Sequence, residues 1–269
     1  MKRTLDVVLS VFLLVALGPL LALVWVLVRV TSPGPALFRQ YRVGRDFTPF
    51  ELVKFRTMGH AQAGLAYTLG ADPRITGLGK WLRRTKIDEL PQLWNVLRGE
   101  MSLVGPRPVI PELVAEFVSD YRSLLVARPG LTDPASLKYS QEAWILMRAR
   151  DPIGYFKHVV TPDKLQISLD YQRKAGFWSD LVILATTVMI CIFPALSRMY
   201  GKVAEYVAQE DAGLGLMRGG ALRKPMHHVG AGLEDYTGPM TASPWNVLPS
   251  ALYSKQTALK KASGRRFHL

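Results

Sequence analysis

The stretch VVLSVFLLVALGPLLALVWVLV, residues 7–28, contains no charged residue. A helix of that length can cross the hydrocarbon core of a bilayer, which is about 30 Å thick. Gly18 and Pro19 lie at its centre, where a proline removes a backbone donor and kinks a helix. The apolar run is long for a signal peptide, and no small-residue cleavage site follows it. We therefore predict a membrane anchor over residues 1–35, kinked at Gly18-Pro19.

Basic residues flank this anchor on both sides. Lys2 and Arg3 precede it, and Arg29 and Arg39 follow it. Positively charged flanks favour the cytoplasmic side of a membrane, so a straight transmembrane helix would have to export one of the two flanks. A helix that enters, bends and returns would keep both inside. A re-entrant hairpin in one leaflet and a single transmembrane helix are therefore both open.

The composition is both apolar and basic. Of the 269 residues 49% are hydrophobic, and the formal net charge is +13. Between residues 29 and 107 there are thirteen Lys or Arg against six acids, a balance typical of proteins that bind nucleic acid or an anionic membrane surface. Cys191 is the single cysteine, which excludes an intramolecular disulfide and a cysteine-based zinc site and suggests a reducing compartment.

The pattern of apolar residues and turn signals predicts an α+β protein that is mostly helical. We expect a short β-hairpin over residues 36–58, turning at Gly44. A second apolar run, residues 181–196, is short for a span and favours a buried or interfacial helix, with a second membrane segment as the alternative. The remaining predictions are a loop at 59–71, a helix within 72–84, an amphipathic helix at 110–127, a loop at 128–134, and broken helices at 140–175 with a start at Thr161-Pro162.

The composition changes after Gly201, where glycine, methionine and proline appear without periodicity. We interpret residues 201–269 as a poorly ordered tail and residues 36–200 as the folded, catalytic domain. The basic run that closes the tail is either solvated or in contact with acidic lipid.

Two adjacent acids interrupt the basic region in TKIDELPQ, residues 85–92. Pro91 is tolerated in the first turn of a helix, so we expect a short helix that ends near Gly99, with Asp88 at or near its N-cap. The helix N-terminus and the neighbouring arginines would favour ionised Asp88 and Glu89. An ionised carboxylate can act as a nucleophile or hold a divalent metal. The alternative is an ordinary cap with surface ion pairs.

Four motifs occur in an order that resembles the bacterial sugar transferases, the small monotopic phosphoglycosyl transferases. The resemblance extends over residues 2–197. The motifs are SPGPALFRQYRVG (32–44), FELVKFRTM (50–58), DPRITGLGKWLRRTKIDELPQLWNVLRGEMSLVGPRP (72–108) and RPGLTDPAS (128–136).

The resemblance implies transfer of a sugar 1-phosphate from a UDP-sugar to undecaprenyl phosphate with release of UMP, as the priming step of exopolysaccharide, capsule or O-antigen synthesis. Asp88 would be the covalent nucleophile and a ligand of Mg²⁺, and Glu89 the assisting carboxylate. The candidates for phosphate binding are Arg83, Arg107, Lys54 and Arg56.

The resemblance also implies an enzyme on the cytoplasmic face of the bacterial inner membrane, in contact with membrane lipid. The family's re-entrant helix bends at a Ser-Pro pair, and Gly18-Pro19 stands there in this chain. A homodimer is compatible with the resemblance, and we expect no nucleic acid partner. Two other functions are open on the residues: a non-enzymatic basic membrane module that binds anionic lipid, and a nucleotide-sugar hydrolase.

Overall fold

The computed structural model describes residues 2–59 and 72–193. Almost all of the predicted loop at 59–71, the last residues of the second apolar run and the whole predicted tail lie outside these ranges. The described helices are α1 (Lys2–Ala16), α2 (Gly18–Thr31), α3 (Gly77–Thr85), α4 (Leu93–Leu97), α5 (Pro111–Glu116), α6 (Val118–Leu124), α7 (Pro134–Lys138), α8 (Glu142–Arg148), α9 (Pro152–Tyr155), α10 (Thr161–Lys174) and α11 (Phe177–Ile192). The strands are β1 (Leu37–Val43), β2 (Pro49–Phe55), β3 (Ser102–Val104) and β4 (Gly130–Thr132). The prediction of a mostly helical α+β protein is confirmed.

The N-terminal apolar stretch forms two helices that bend by 63°. Leu17 separates α1 from α2, and Pro19 lies in the first turn of α2, where its missing amide hydrogen is tolerated. Within the described ranges, no individual helix has both the length and the apolar character needed to cross a membrane, and α1 with α2 meets that test only as a bent pair. The predicted kink at Gly18-Pro19 is confirmed.

The polar end of α1 is attached to the folded domain. Arg3 donates to the carbonyl oxygens of Val96, at 2.5 Å, and Leu97, at 2.9 Å, at the end of α4. Buried Asp6 accepts a hydrogen bond from the Ser102 hydroxyl at 2.8 Å and another from the Leu103 amide at 2.9 Å. These hydrogen bonds fix the start of α1 against α4 and β3.

The far end of the helix pair is attached to the same domain. Arg56, at the end of β2, donates to the carbonyl oxygens of Pro33, at 2.6 Å, and Ser32, at 2.8 Å. A straight helix over residues 2–31 would be roughly 45 Å long at about 1.5 Å per residue. Both ends of the helix pair therefore contact one domain across the 63° bend.

The predicted hairpin forms as an antiparallel pair of β1 and β2. Arg42 lies opposite Phe50, and Phe38 lies opposite Lys54. Side chains alternate between the two faces of a strand, so Arg42 and Lys54 share one face and Arg39 lies on the other. This alternation divides the basic residues of the hairpin into two groups.

Residues 110–127 form two helices rather than the predicted single one. Phe117 adopts φ −124° and ψ 41°, outside the helical region, so α5 ends there and α6 begins. The break lets Val114 of α5 and Tyr121 of α6 pack in one core cluster with Val43 of β1. The predicted apolar face is correct, and the predicted continuity is wrong.

The prediction of a loop at 128–134 is also wrong, because β4 forms within it and pairs in parallel with β3. Gly130 makes this pairing feasible. A Cβ atom at Gly130 would lie 2.1 Å from the backbone nitrogen of Gly105, a distance that no side chain could occupy. The glycine that suggested a turn instead allows two backbones to approach closely.

The C-terminal half of the domain is helical with breaks, as predicted, and α10 begins at the predicted Thr161-Pro162. A π-helical turn, Phe156–Val160, connects α9 directly to α10. The second apolar run forms α11, which packs on the core through Ile183 and leaves Trp178 and Val182 exposed. Such a helix fits the predicted buried or interfacial position.

Candidate active site

The two acids lie in a tight turn between α3 and α4. Lys86 adopts a left-handed conformation, with φ of 59°, and a 3-10 helix, Ile87–Gln92, follows it. The N-cap residue of this 3-10 helix is Lys86, and Asp88 lies near it, at the second helical position. The prediction that Asp88 itself could be the cap residue is therefore wrong. Pro91 has no amide hydrogen to donate, so regular α-helical bonding begins only after it. The predicted stop near Gly99 is confirmed, since Gly99 has φ +79°.

The Asp88 side chain is buried, with 5% of its surface exposed. No group among the described residues donates a hydrogen bond to its Oδ1 atom, which is fully buried. Burial raises the pKa of Asp88, and the charge of Glu89 raises it further, although Lys54, Lys86 and Arg83 act in the opposite direction. The neighbouring cations do favour ionised Asp88, as predicted, because they lower its pKa. The effect of burial is larger, so the pKa of Asp88 is raised overall.

Glu89, unlike Asp88, has a charged partner and a lowered pKa. Arg107 donates two hydrogen bonds to its carboxylate, at 2.6 Å from Nη2 to Oε1 and 3.2 Å from Nη1 to Oε2. Burial opposes ionisation of Glu89, but the charges of Arg107 and Lys86 outweigh it and lower the pKa of Glu89 to about 2. Glu89 in turn raises the pKa of Arg107. The two neighbouring carboxylates therefore differ, one without a partner on Oδ1 and the other held in a bidentate ion pair.

Two further predicted residues surround the carboxylates. Arg83 donates from Nε to the hydroxyl of buried Thr57 at 2.9 Å, and burial lowers its pKa. Burial, together with the charge of Arg42, lowers the pKa of Lys54 to about 8, although Glu89 and Asp88 act to raise it. Of the predicted cations, Arg83 and Lys54 thus act electrostatically on both acids, and Arg107 acts on Glu89.

Arg56 is the predicted phosphate ligand that the structure does not bring to this cluster. Its guanidinium group is directed to Ser32 and Pro33, on the segment that follows α2. Those contacts favour an anchoring role for Arg56, and its assignment to phosphate binding stays a prediction.

Comparison with known proteins gives a family match over most of the described chain. A family model described as "Bacterial sugar transferase" matches residues 1–194. The chain belongs to the bacterial sugar transferase family. The predicted family is therefore confirmed, and the match includes both acids and every basic residue of the cluster.

Several curated relatives are similar to this sugar transferase. An undecaprenyl-phosphate glucose phosphotransferase of Komagataeibacter xylinus is 40% identical over 71% of this chain and 36% of the relative. A UDP-glucose:undecaprenyl-phosphate glucose-1-phosphate transferase of Caulobacter vibrioides is 40% identical over 70% of this chain and 68% of the relative. An exopolysaccharide production protein of Rhizobium leguminosarum bv. phaseoli is 42% identical over 51% of this chain and 74% of the relative. The chain thus spans about a third of the first relative and about two thirds of the second.

The structure adds residues to this sugar transferase site that sequence reasoning did not single out. Arg42 lies on the same hairpin face as Lys54, and burial, with the charge of Arg107, lowers its pKa to about 10. The alternation of the two strands places positions 42 and 54 on one face, but only once the hairpin register is known. Lys86 was noticed only as a charge, and its left-handed backbone sets the turn that presents Asp88.

The donor set of this site fits a magnesium ion that is held mainly by substrate. No group of three or more His, Cys, Asp or Glu side chains in residues 2–59 and 72–193 is arranged to hold a metal. Mg²⁺ in phosphoryl-transfer sites usually takes one or two carboxylates, several waters and the substrate phosphates. The unpartnered Oδ1 of Asp88 is the atom suited to that role, since both oxygens of Glu89 already bind Arg107.

Proposed function

We propose that this chain transfers a sugar 1-phosphate from a UDP-sugar to undecaprenyl phosphate and releases UMP. One observation supports the proposal most strongly: buried Asp88 has an oxygen without a partner among the described residues, and the positive charges of Lys54, Lys86, Arg83 and Arg107 act on the Asp88–Glu89 pair. Four positive charges around two carboxylates leave an excess that a pyrophosphate would neutralise. We propose glucose as the sugar, because two relatives 40% identical are named for it.

In the first step, a carboxylate oxygen of Asp88 attacks the phosphorus atom that carries the sugar. A bond forms between that oxygen and phosphorus, and the bond from this phosphorus to the oxygen bridging the two phosphates breaks. UMP leaves with the bonding electrons, and the sugar phosphate remains on Asp88 as an acyl phosphate. Arg83 and Lys54 stabilise the charge on the phosphoryl oxygens, as preorganised cations do in phosphoryl transfer.

In the second step, an oxygen of undecaprenyl phosphate attacks the same phosphorus and expels the Asp88 carboxylate. The product is a lipid-linked sugar diphosphate, which would begin a glycan such as an exopolysaccharide, a capsule or an O-antigen. Glu89 binds Arg107, whose side chain is about half exposed, and we assign Glu89 the supporting role. Asp88 would also hold Mg²⁺, which when bound neutralises charge on phosphate oxygens.

We propose that the bent helix pair α1–α2 enters one leaflet from the cytoplasmic face of the bacterial inner membrane and returns to it. Attachment of both its ends to one domain supports this arrangement. A site that uses a soluble nucleotide sugar and a membrane lipid has to lie at the interface. In cells with Cys191 replaced by serine, a cysteine added at the N-terminus should resist an impermeant maleimide until the membrane is opened. Labelling from outside intact cells would mean a full span.

The activity is tested with a panel of UDP-sugars, by following UMP release with and without undecaprenyl phosphate. We expect continuous release, fastest with UDP-glucose, when the lipid is present. Without it we expect at most one UMP per enzyme molecule. Continuous release without the lipid would support a nucleotide-sugar hydrolase instead, and no release with any donor would support a basic membrane module.

A further inference from the structure

Arg42 occupies an unusual position on strand β1. One of its terminal nitrogens, Nη2, donates to the side-chain oxygen of Gln40 at 2.7 Å. Its Nε–H group is fully buried and finds no acceptor among the described residues. A buried donor without an acceptor destabilises the folded protein, so such a group requires an explanation.

The surroundings of Arg42 make the arrangement more unusual. The positive charge of Arg107 acts on Arg42, and the opposing negative charges are Glu112 and Glu89. Both oxygens of Glu89 are already bound to Arg107. Two guanidinium groups that repel each other, one of them with a free buried donor, form a site suited to an anion with several oxygens.

We propose that Arg42 is a substrate-binding residue that donates its Nε–H to a phosphate oxygen during sugar phosphate transfer. The inference rests on the proposed function and names a residue that lies in the motif at 32–44 but was not among the predicted phosphate-binding residues. The ligand is a phosphate group, whose source is either the diphosphate of the UDP-sugar or the phosphate of undecaprenyl phosphate. The hydrogen bond to Gln40 occupies Nη2 and leaves the Nε–H of Arg42 as the donor that a phosphate oxygen could accept from.

Arg39 supplies a matched control, because it lies on the same strand, on the opposite face. It pairs with Glu51 at 2.9 Å, and 60% of its side chain is exposed. An arginine to glutamine change at position 39 therefore removes the same charge from the same strand without touching the site. Arg42→Gln, Arg42→Lys and Arg39→Gln are compared with the unchanged protein.

The kinetic arms distinguish the two sources of phosphate. If Arg42 binds the donor, R42Q raises the KM for UDP-glucose about tenfold or more and slows the single UMP burst without lipid. If it binds the acceptor, the burst is unchanged and the KM for undecaprenyl phosphate rises instead. R42K keeps the charge but loses the planar donor, so it should show a similar KM defect, while R39Q stays within about twofold.

A structural role gives a different result. R42Q would then unfold at a lower temperature, with unchanged KM values per folded molecule, and that outcome overturns the proposal. If R42Q does not fold, R42K carries the test, and wild-type KM values for R42K overturn it equally. Calorimetry with inorganic pyrophosphate separates this inference from the proposed activity, because weaker binding by R42K than by R39Q supports Arg42 even if no UDP-sugar is turned over. Equal binding contradicts it.

Discussion

Two polar clusters of this sugar transferase contain similar residues but differ in whether their buried polar groups have hydrogen-bond partners. The anchor cluster joins α1 to the domain through Lys2, Arg3 and Asp6, and each of these side chains has a partner: Asp180 for Lys2, the end of α4 for Arg3, and β3 for Asp6. The site cluster includes Asp88 and Arg42, and within residues 2–59 and 72–193 neither the Asp88 Oδ1 nor the Arg42 Nε has a hydrogen-bond partner.

We infer from this difference that the anchor cluster stabilises the fold, and we propose that the site cluster binds the substrate phosphates. A buried polar group with a partner contributes modestly to stability, whereas one without a partner costs free energy. The anchor cluster makes its hydrogen bonds within the chain, so its changes should appear in stability. If the unpaired Asp88 Oδ1 and Arg42 Nε of the site cluster bind substrate, as proposed, changes there should appear in catalysis.

The largest effect is expected for Asp88→Asn. An amide oxygen is too weak a nucleophile to displace UMP, so UMP release should fall by at least about 10³-fold. The measurement is UMP formation with UDP-glucose and undecaprenyl phosphate. Asp46→Asn, in an exposed ion pair with Arg45, is the control and should retain activity. Activity of D88N within tenfold of the unchanged protein would remove Asp88 from its assigned role.

Arg107→Gln should lower kcat/KM by about 10²-fold. Glutamine keeps much of the side-chain length but loses the charge that pairs with Glu89 and faces the substrate phosphates. Steady-state kinetics with both substrates varied measures the change. Arg45→Gln removes an exposed arginine on the turn after β1 and should leave the rates within about twofold. Equal kcat/KM values for Arg107→Gln and Arg45→Gln would contradict a catalytic role for the site cluster.

The pH profile of kcat/KM should fall on both sides. Because burial lowers the pKa of Lys54 to about 8, Lys54 is charged below that pH, and phosphate binding weakens as the pH rises through it. Because the pKa of Asp88 is raised, the nucleophile is protonated and activity is lost as the pH falls through that raised value. In Lys54→Arg the alkaline limb should move upward, with a difference of about tenfold near pH 9. An unchanged alkaline limb would mean that another group titrates there.

Changes in the anchor cluster should affect stability and leave the chemistry intact. Asp6→Ala leaves the Ser102 hydroxyl and the Leu103 amide without their acceptor, so the free energy of unfolding should fall by about 1–3 kcal/mol. Asp170→Ala removes an exposed ion pair with Arg173 and should change the free energy of unfolding by less than about 0.5 kcal/mol. Thermal unfolding in detergent measures both. A lower kcat per folded molecule in D6A would contradict the assignment of the anchor cluster to stability alone.

The sequence predicted those parts of the fold that depend on local chemistry. The kink followed from Pro19, the hairpin from its turn residues, and the stop of α4 from Gly99. The break at Phe117 and strand β4 were missed, because both depend on distant packing: Phe117 lets two helices share a core cluster, and Gly130 pairs with a segment far away in the chain.

The sequence predicted which residues belong to the candidate site better than it predicted the pKa values of their side chains. The motifs selected Asp88, Glu89, Arg83 and Arg107 as candidate site residues, and the neighbouring positive charges suggested that both acids are ionised. Burial, which no local pattern reports, raises the pKa of Asp88 instead. Arg42 was missed because its proximity to Arg107 depends on how the hairpin packs on the rest of the domain.

The most direct test of the assigned chemistry is a search for the sugar phosphate on Asp88. The protein is mixed with UDP-glucose without lipid, quenched in acid and measured as an intact molecule by mass spectrometry, with peptide mapping. The account predicts a mass increase of one sugar phosphate less one water, located on Asp88 and removed by undecaprenyl phosphate. Turnover with no such adduct, or an adduct on another residue, would contradict it.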